Sequence, residues 1–140
     1  MKVAVVYWSG TGNTKAMAEE VLTGAKEAGA DASLFDASSF DTSSVASYDA
    51  LAFGCPAMGA EELEDSEFLP MFESCEGALS GKKIALFGSY GWGDGEWMRS
   101  WEERCATLGV TFAADSVICM EAPDDEATAA CHALGAALAS

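Results

Sequence analysis

The apolar run Val3-Ala4-Val5-Val6, read straight into the polar loop Ser9-Gly10-Thr11-Gly12-Asn13-Thr14, constrains this chain more than any other segment. An apolar run without alternation makes a strand that must be covered on both faces, as in a parallel sheet flanked by helices. The loop opens into a helix from about Asn13 to Ala28, with Met17, Val21, Ala25 and Ala28 on one stripe at helical spacing. Free N–H groups at a helix start, next to hydroxyl donors, make a ready phosphate site. Between Ser9 and Thr14 there is no lysine or arginine, so an anion here would rest on neutral donors and the helix dipole. Lys15 follows one residue later and is expected to face solvent.

Two better-known phosphate loops do not match. A Walker loop needs a glycine followed by lysine and a hydroxyl residue, and no glycine of this loop precedes lysine. A dinucleotide fingerprint needs a third glycine where Lys15 stands. What remains is a loop for a terminal monophosphate; the alternative is an ordinary strand-to-helix turn capped by Ser9 or Thr11.

At 140 residues the chain reads as a single domain, residues 1–140, with enough length for a proper core. No apolar run approaches the ~20 residues of a membrane span, and the N-terminus does not read as a secretory signal. The five cysteines, Cys55, Cys75, Cys105, Cys119 and Cys131, form no Cys-x-x-Cys pair and read as reduced, mostly buried residues of a cytoplasmic protein. With 23 acidic against 7 basic residues the net charge is −16. Such a surface disfavours nucleic acid and anionic membranes and favours partners with basic faces.

Strand and helix patterns alternate along the chain. Strands are expected at Lys2 to Tyr7, Ala32 to Phe35 (near an edge), Ala50 to Cys55, Lys83 to Gly88 and within Phe112 to Met120. Helices are expected at Phe68 to Cys75, Glu96 to Leu108 and Asp125 to Ala139, and Ser38 to Ser47 reads as turn-rich. The alternation predicts an α/β fold: a doubly wound, three-layer sandwich around a five-stranded parallel sheet with right-handed connections. In such sheets ligands sit beyond the carboxyl ends of the strands.

Two further loops lie at those ends, and both carry aromatic or thioether groups among glycines. After strand three comes Gly54-Cys55-Pro56-Ala57-Met58-Gly59-Ala60-Glu61-Glu62; after strand four comes Ser89-Tyr90-Gly91-Trp92-Gly93-Asp94-Gly95. An exposed Trp92 between glycines is poor surface unless a flat group covers it. The alternatives are that Trp92 folds back onto the core and that Met58 fills a core gap. A phosphate at the first loop and a ring between Met58 and Trp92 describe flavin mononucleotide (FMN) better than a nucleotide without a large ring.

These three segments, in this order and over the whole length, resemble the flavodoxins, specifically the short-chain type of anaerobic bacteria. The resemblance implies the strand order 2-1-3-4-5 and a low-potential, non-enzymatic carrier of single electrons between redox enzymes, with non-covalently bound FMN. It also implies residue roles. Ser9, Thr11, Asn13, Thr14 and Ser89 would bind the phosphate, with the backbone of Gly10 and Gly12; Trp8 would lie near phosphate and ribose, with Glu121 a further candidate for the ribose. Met58 and Trp92 would cover the two ring faces, and Glu61 would accept from the ring N3–H. Pro56, Ala57, Gly59 and Ala60 complete the loop beside the ring, and Tyr90 and Gly91 lie at its pyrimidine edge. Pro56 and Ala60 depart from the family pattern, in which a donor and an Asp or Asn are frequent.

In the family the peptide after Gly59 reorients during reduction. Glu61, Glu62 and Glu64 are expected to depress the potential of the second electron. With Asp65, Glu67, Asp94 and Glu96 they are expected to form a docking face for basic redox proteins, such as oxidoreductases and flavodoxin reductases, on a monomer. A phosphoaccepting signalling domain would need carboxylates where Tyr7-Trp8-Ser9 and Phe53-Gly54-Cys55 stand. A quinone-reductase-like flavin enzyme would need further loops.

Overall fold

Alternate residues of each central strand supply two different cores. The computed structural model describes residues 1–59 and 61–140. Its strands are β1 (Lys2–Tyr7), β2 (Asp31–Asp36), β3 (Ala50–Gly54), β4 (Lys83–Tyr90), β5 (Thr111–Phe112) and β6 (Val117–Met120). All pair in parallel in the order β2-β1-β3-β4, with β5 and β6 both against β4. The expected strand order is present, but its fifth position is filled by two short pieces. Ala113 still bonds to the Ile84 carbonyl. The ladder then breaks before Ser116, whose hydroxyl donates to Glu102 at 2.7 Å instead.

The helices are α1 (Asn13–Glu27), α2 (Thr42–Val45), α3 (Phe68–Cys75), α4 (Glu96–Thr107) and α5 (Asp125–Leu138). Val3 and Val5 point to α1 and α5, packing with Met17, Val21, Cys131 and Leu134. Ala4 and Val6 point the other way, to Phe68, Phe72, Trp97 and Trp101 of α3 and α4. This second layer is thick and aromatic: Phe53 meets Phe72 edge-on at 5.2 Å, and Phe68 meets Trp101 edge-on at 5.4 Å between centroids. The first layer is thin. A Cβ on Gly24 would overlap the His132 carbonyl, and one on Gly135 the Val21 carbonyl, so α1 and α5 touch backbone to backbone.

Parallel pairing sends the carboxyl ends of β1, β3, β4 and β6 to one edge of the molecule. β1 lies between β2 and β3, so the chain leaves it towards one side and returns on the other. That reversal opens a crevice between the loops after β1 and β3.

Candidate functional site

The first loop leaves a helix start without a cap. Gly12 holds the cap position at φ +97°, a left-handed conformation that glycine adopts without strain, and no side chain accepts from the first turn of α1. Ser9 Oγ accepts from Gly12 N–H at 3.0 Å, inside the loop. The capped-turn alternative is therefore not what forms. Asn13, Thr14 and Lys15 keep N–H groups without a partner inside the helix, at its positive end. Lys15 is exposed, as expected.

Beneath them, the hydroxyls of Thr14 and Ser89 meet at 3.2 Å, and both residues are buried. Thr14 opens α1 and Ser89 ends β4, so two of the three sequence segments converge at one point.

These groups form the floor of a cleft of about 610 Å³. It is lined by Trp8, Ser9, Gly10, Thr11, Asn13, Thr14, Pro56, Ala57, Met58, Ser89, Tyr90 and Gly91, joined by Glu121 and Ala122. No lysine or arginine lines it. A larger hollow of about 720 Å³ runs along the outer edge between β6 and α5, faced by the short side chains Ala127, Ala130 and Ala133. The helix start that borders it, that of α5, is already capped: the Asp124 carboxylate accepts from Ala127 N–H at 2.8 Å.

The loop after β3 has used several of its own donors. Pro56 has no N–H, Ala57 N–H donates to the Ser89 carbonyl at 3.0 Å, and Met58 and Glu62 exchange backbone bonds at 2.8 and 2.9 Å. At Pro56, Ala57, Met58 and Glu62 the loop can therefore face a ligand only with side chains and carbonyls. Gly59 turns within it at φ +49°. Ala60 lies outside the described residues.

Met58 is 37 % exposed and Trp92 63 % exposed, so neither folds back into the core. Gly12, Gly59, Glu61 and Trp92 do not line the cleft, and Glu61 faces a separate hollow of about 390 Å³ with Leu69, Trp97 and Trp101. Glu61 Oε2 accepts from Trp97 N–H at 2.9 Å, at the start of α4. Its Oε1 is buried with no partner and lies where a Cβ on Gly93 would fall. A buried acceptor of this kind calls for a donor from elsewhere.

Two acidic residues differ from expectation. Glu64 is not part of a solvated rim: it is buried, and its carboxylate accepts from the N–H groups of Glu67 and Phe68 at 2.8 Å each and from Ser66. Burial pushes this carboxyl up, but the Ser66 hydroxyl and the N–H groups of Phe68, Glu67 and Ser66 outweigh it and hold the pKa at about 2. Neutralising Glu64 would uncap α3 instead of tuning a surface potential. Glu67, also placed on the rim, accepts from the indole of Trp8 at 3.0 Å. Neither role has a signature in sequence, because both depend on how α3 lies beside β1. Ala122 was likewise missed, in a loop whose composition carries no signal.

The parts of FMN match what is present. Uncapped N–H groups and hydroxyls suit a phosphate, exposed Met58 and Trp92 suit a ring, and the partnerless Glu61 oxygen suits a ring N–H.

The flavodoxin family model matches residues 5–134. A flavodoxin of Megasphaera elsdenii is 47 % identical over 137 residues, 98 % of each chain. One of Clostridium beijerinckii is 46 % identical over 121 residues, 86 % of this chain and 88 % of the other. The solution structure of two-electron reduced M. elsdenii flavodoxin superposes with a TM-score of 0.90 at 48 % identity, covering 98 % of both. A flavodoxin structure from the domain Archaea gives 0.84 at 29 % identity, over 99 % of this chain and 96 % of that one. The chain belongs to the flavodoxin family, whose members bind FMN and carry electrons without transforming a substrate.

Proposed function

We propose that the cleft between the loops after β1, β3 and β4 is the FMN site, and that the protein is a low-potential carrier docking basic-faced redox partners. The observation that carries this reading is the uncapped start of α1 above the buried Thr14–Ser89 hydroxyl pair. Asn13 and Thr14 N–H groups, with the hydroxyls of Ser9, Thr11, Thr14 and Ser89, hold the phosphate. Trp8, Gly10 and Gly12 shape that loop. Met58 and Trp92 cover the ring, with Pro56, Ala57 and Gly59 along its edge and Tyr90 and Gly91 at its pyrimidine side. Glu61 Oε1 takes the ring N–H, its other oxygen being held by Trp97.

The bound cofactor supplies the one-electron chemistry. The chain's own residues orient it, exclude water from one end and set the electrostatics. No cation lines the cleft, and Arg99, beyond it, is paired with Asp94 at 3.0 Å. Negative charge added to the ring is thus uncompensated, which supports a low potential. The net charge of −16, with exposed Glu62, Asp65, Asp94 and Glu96 beside the cleft, supports basic-faced partners such as oxidoreductases and flavodoxin reductases. No helix among the described residues is long and apolar enough to cross a membrane. The five free cysteines support a reducing, cytoplasmic setting, where the chain acts as a monomer.

The test is to load FMN-free protein with FMN and pass it over a desalting column. The expected product is yellow, holds FMN one-to-one and has quenched flavin emission; FMN eluting entirely free would overturn the assignment.

A further inference from the structure

Resting on the phosphate site proposed above, we infer that Glu67 is a positioning residue for it, acting through Trp8. The indole N–H of Trp8 donates to Glu67 Oε1 at 3.0 Å, across 59 positions of sequence. At its other end the same indole lies against the phosphate loop: a Cβ on Gly10 would stand 3.1 Å from Cη2 and 3.3 Å from Cζ3 of Trp8. The indole is therefore a wedge between α3 and the loop, and a Cβ at Gly10 would press on it closely enough to require a shift of a few tenths of an ångström.

The backbone of Glu67 is itself fixed. Its N–H donates to Glu64 Oε1 at 2.8 Å, and the neighbouring N–H of Phe68 reaches the same oxygen at 2.8 Å. Phe68 is buried in the aromatic core. A strut thus runs from that core through the Glu64 carboxylate, Glu67 and Trp8 to Gly10. It sets the height of the loop whose Asn13 and Thr14 N–H groups meet the phosphate. A negatively charged side chain this near a phosphate site is electrostatically unfavourable. Its presence is understandable if the acceptor geometry, not the charge, is what it contributes.

The distinction is measurable, because riboflavin carries the ring and ribityl chain of FMN without the phosphate. Affinities of FMN and riboflavin are measured for the unaltered protein, Glu67→Ala, Glu67→Gln, Trp8→Phe and the double variant Trp8→Phe with Glu67→Ala. Loss of one side-chain hydrogen bond should lower the FMN-over-riboflavin preference about fivefold in Glu67→Ala and in Trp8→Phe. The double variant should lose no more than either single one. Glu67→Gln, which keeps an acceptor and drops the charge, should retain the preference. Riboflavin affinity checks that each variant is folded.

An unchanged preference in Glu67→Ala would overturn the strut. So would a Glu67→Gln variant that behaves like Glu67→Ala, since the charge would then be the active feature. Equal affinity of the unaltered protein for FMN and riboflavin would instead remove the phosphate site, and the strut with it.

Discussion

At Gly59 the backbone sits at φ +49°, and a Cβ built there meets no atom within 4 Å. Gly59→Ala therefore tests backbone conformation, since the added methyl meets no other described part of the chain. A left-handed alanine costs about 1 kcal/mol, or roughly 40 mV in a one-electron couple. The potential of the first electron, measured by anaerobic reductive titration, should move by that order, and an unchanged value would separate this turn from redox control. Glu64 makes a prediction of a different kind. Its carboxyl lies at about 2 in the fold against an ordinary 4.5. Because the folded value is depressed, the stability it provides is present above pH 4.5 and is lost as pH falls towards 2. Acid unfolding followed by circular dichroism should be less steep over that window in Glu64→Gln, and an identical pH profile would contradict the capping role. Glycines and hydroxyls of the phosphate loop could be read in the sequence because a helix start imposes a local requirement. Glu64, Glu67 and Ala122 could not, since their partners are set by the approach of separate elements.

Helices and strands answer to more averaged rules. The run Val3 to Val6 and the stripe Met17, Val21, Ala25 gave β1 and α1 nearly residue for residue, because periodicity reports which faces are buried. The last strand was less legible. Phe112 to Met120 reads as a segment containing one strand, yet two short strands form and Ala114 to Ser116 leave the ladder between them, and the choice of Ser116 to bond Glu102 on α4 is a tertiary one. The thinness of the α1–α5 layer was also hidden: alanines announce a helix, and only the structure reveals that Gly24 and Gly135 let the two backbones touch. Gly135→Ala places a methyl against the Val21 carbonyl and should destabilise the protein by about 1–3 kcal/mol in urea unfolding. The usual gain in helix propensity from glycine to alanine, about 1 kcal/mol, is too small to reverse that sign. A more stable variant would mean that α1 and α5 can separate freely.

Over the whole molecule the dominant fact is charge. The net of −16 was plain in the composition, but where it acts was not. Arg104 bonds Glu76 at 2.6 Å and His132 lies between Glu20 and Glu27 at 3.0 and 3.2 Å, both away from the cleft. The carboxylates beside the cleft are left largely unopposed. Attraction between such a face and a basic partner is screened over a Debye length of about 10 Å at 0.1 M salt. Bimolecular electron transfer to a basic redox protein, followed by stopped flow, should slow about tenfold on raising salt from 0.02 to 0.3 M, both values on the order of ordinary assay conditions. A flat salt profile would separate the charge from recognition.

The central claim is that uncharged donors at the start of α1 grip the cofactor by its phosphate. Calorimetric titration of the FMN-free protein with FMN and with riboflavin, under one buffer, tests it most directly. Several charge-assisted hydrogen bonds to one phosphate should make FMN bind at least about a hundredfold tighter. Equal affinities for the two would contradict the account.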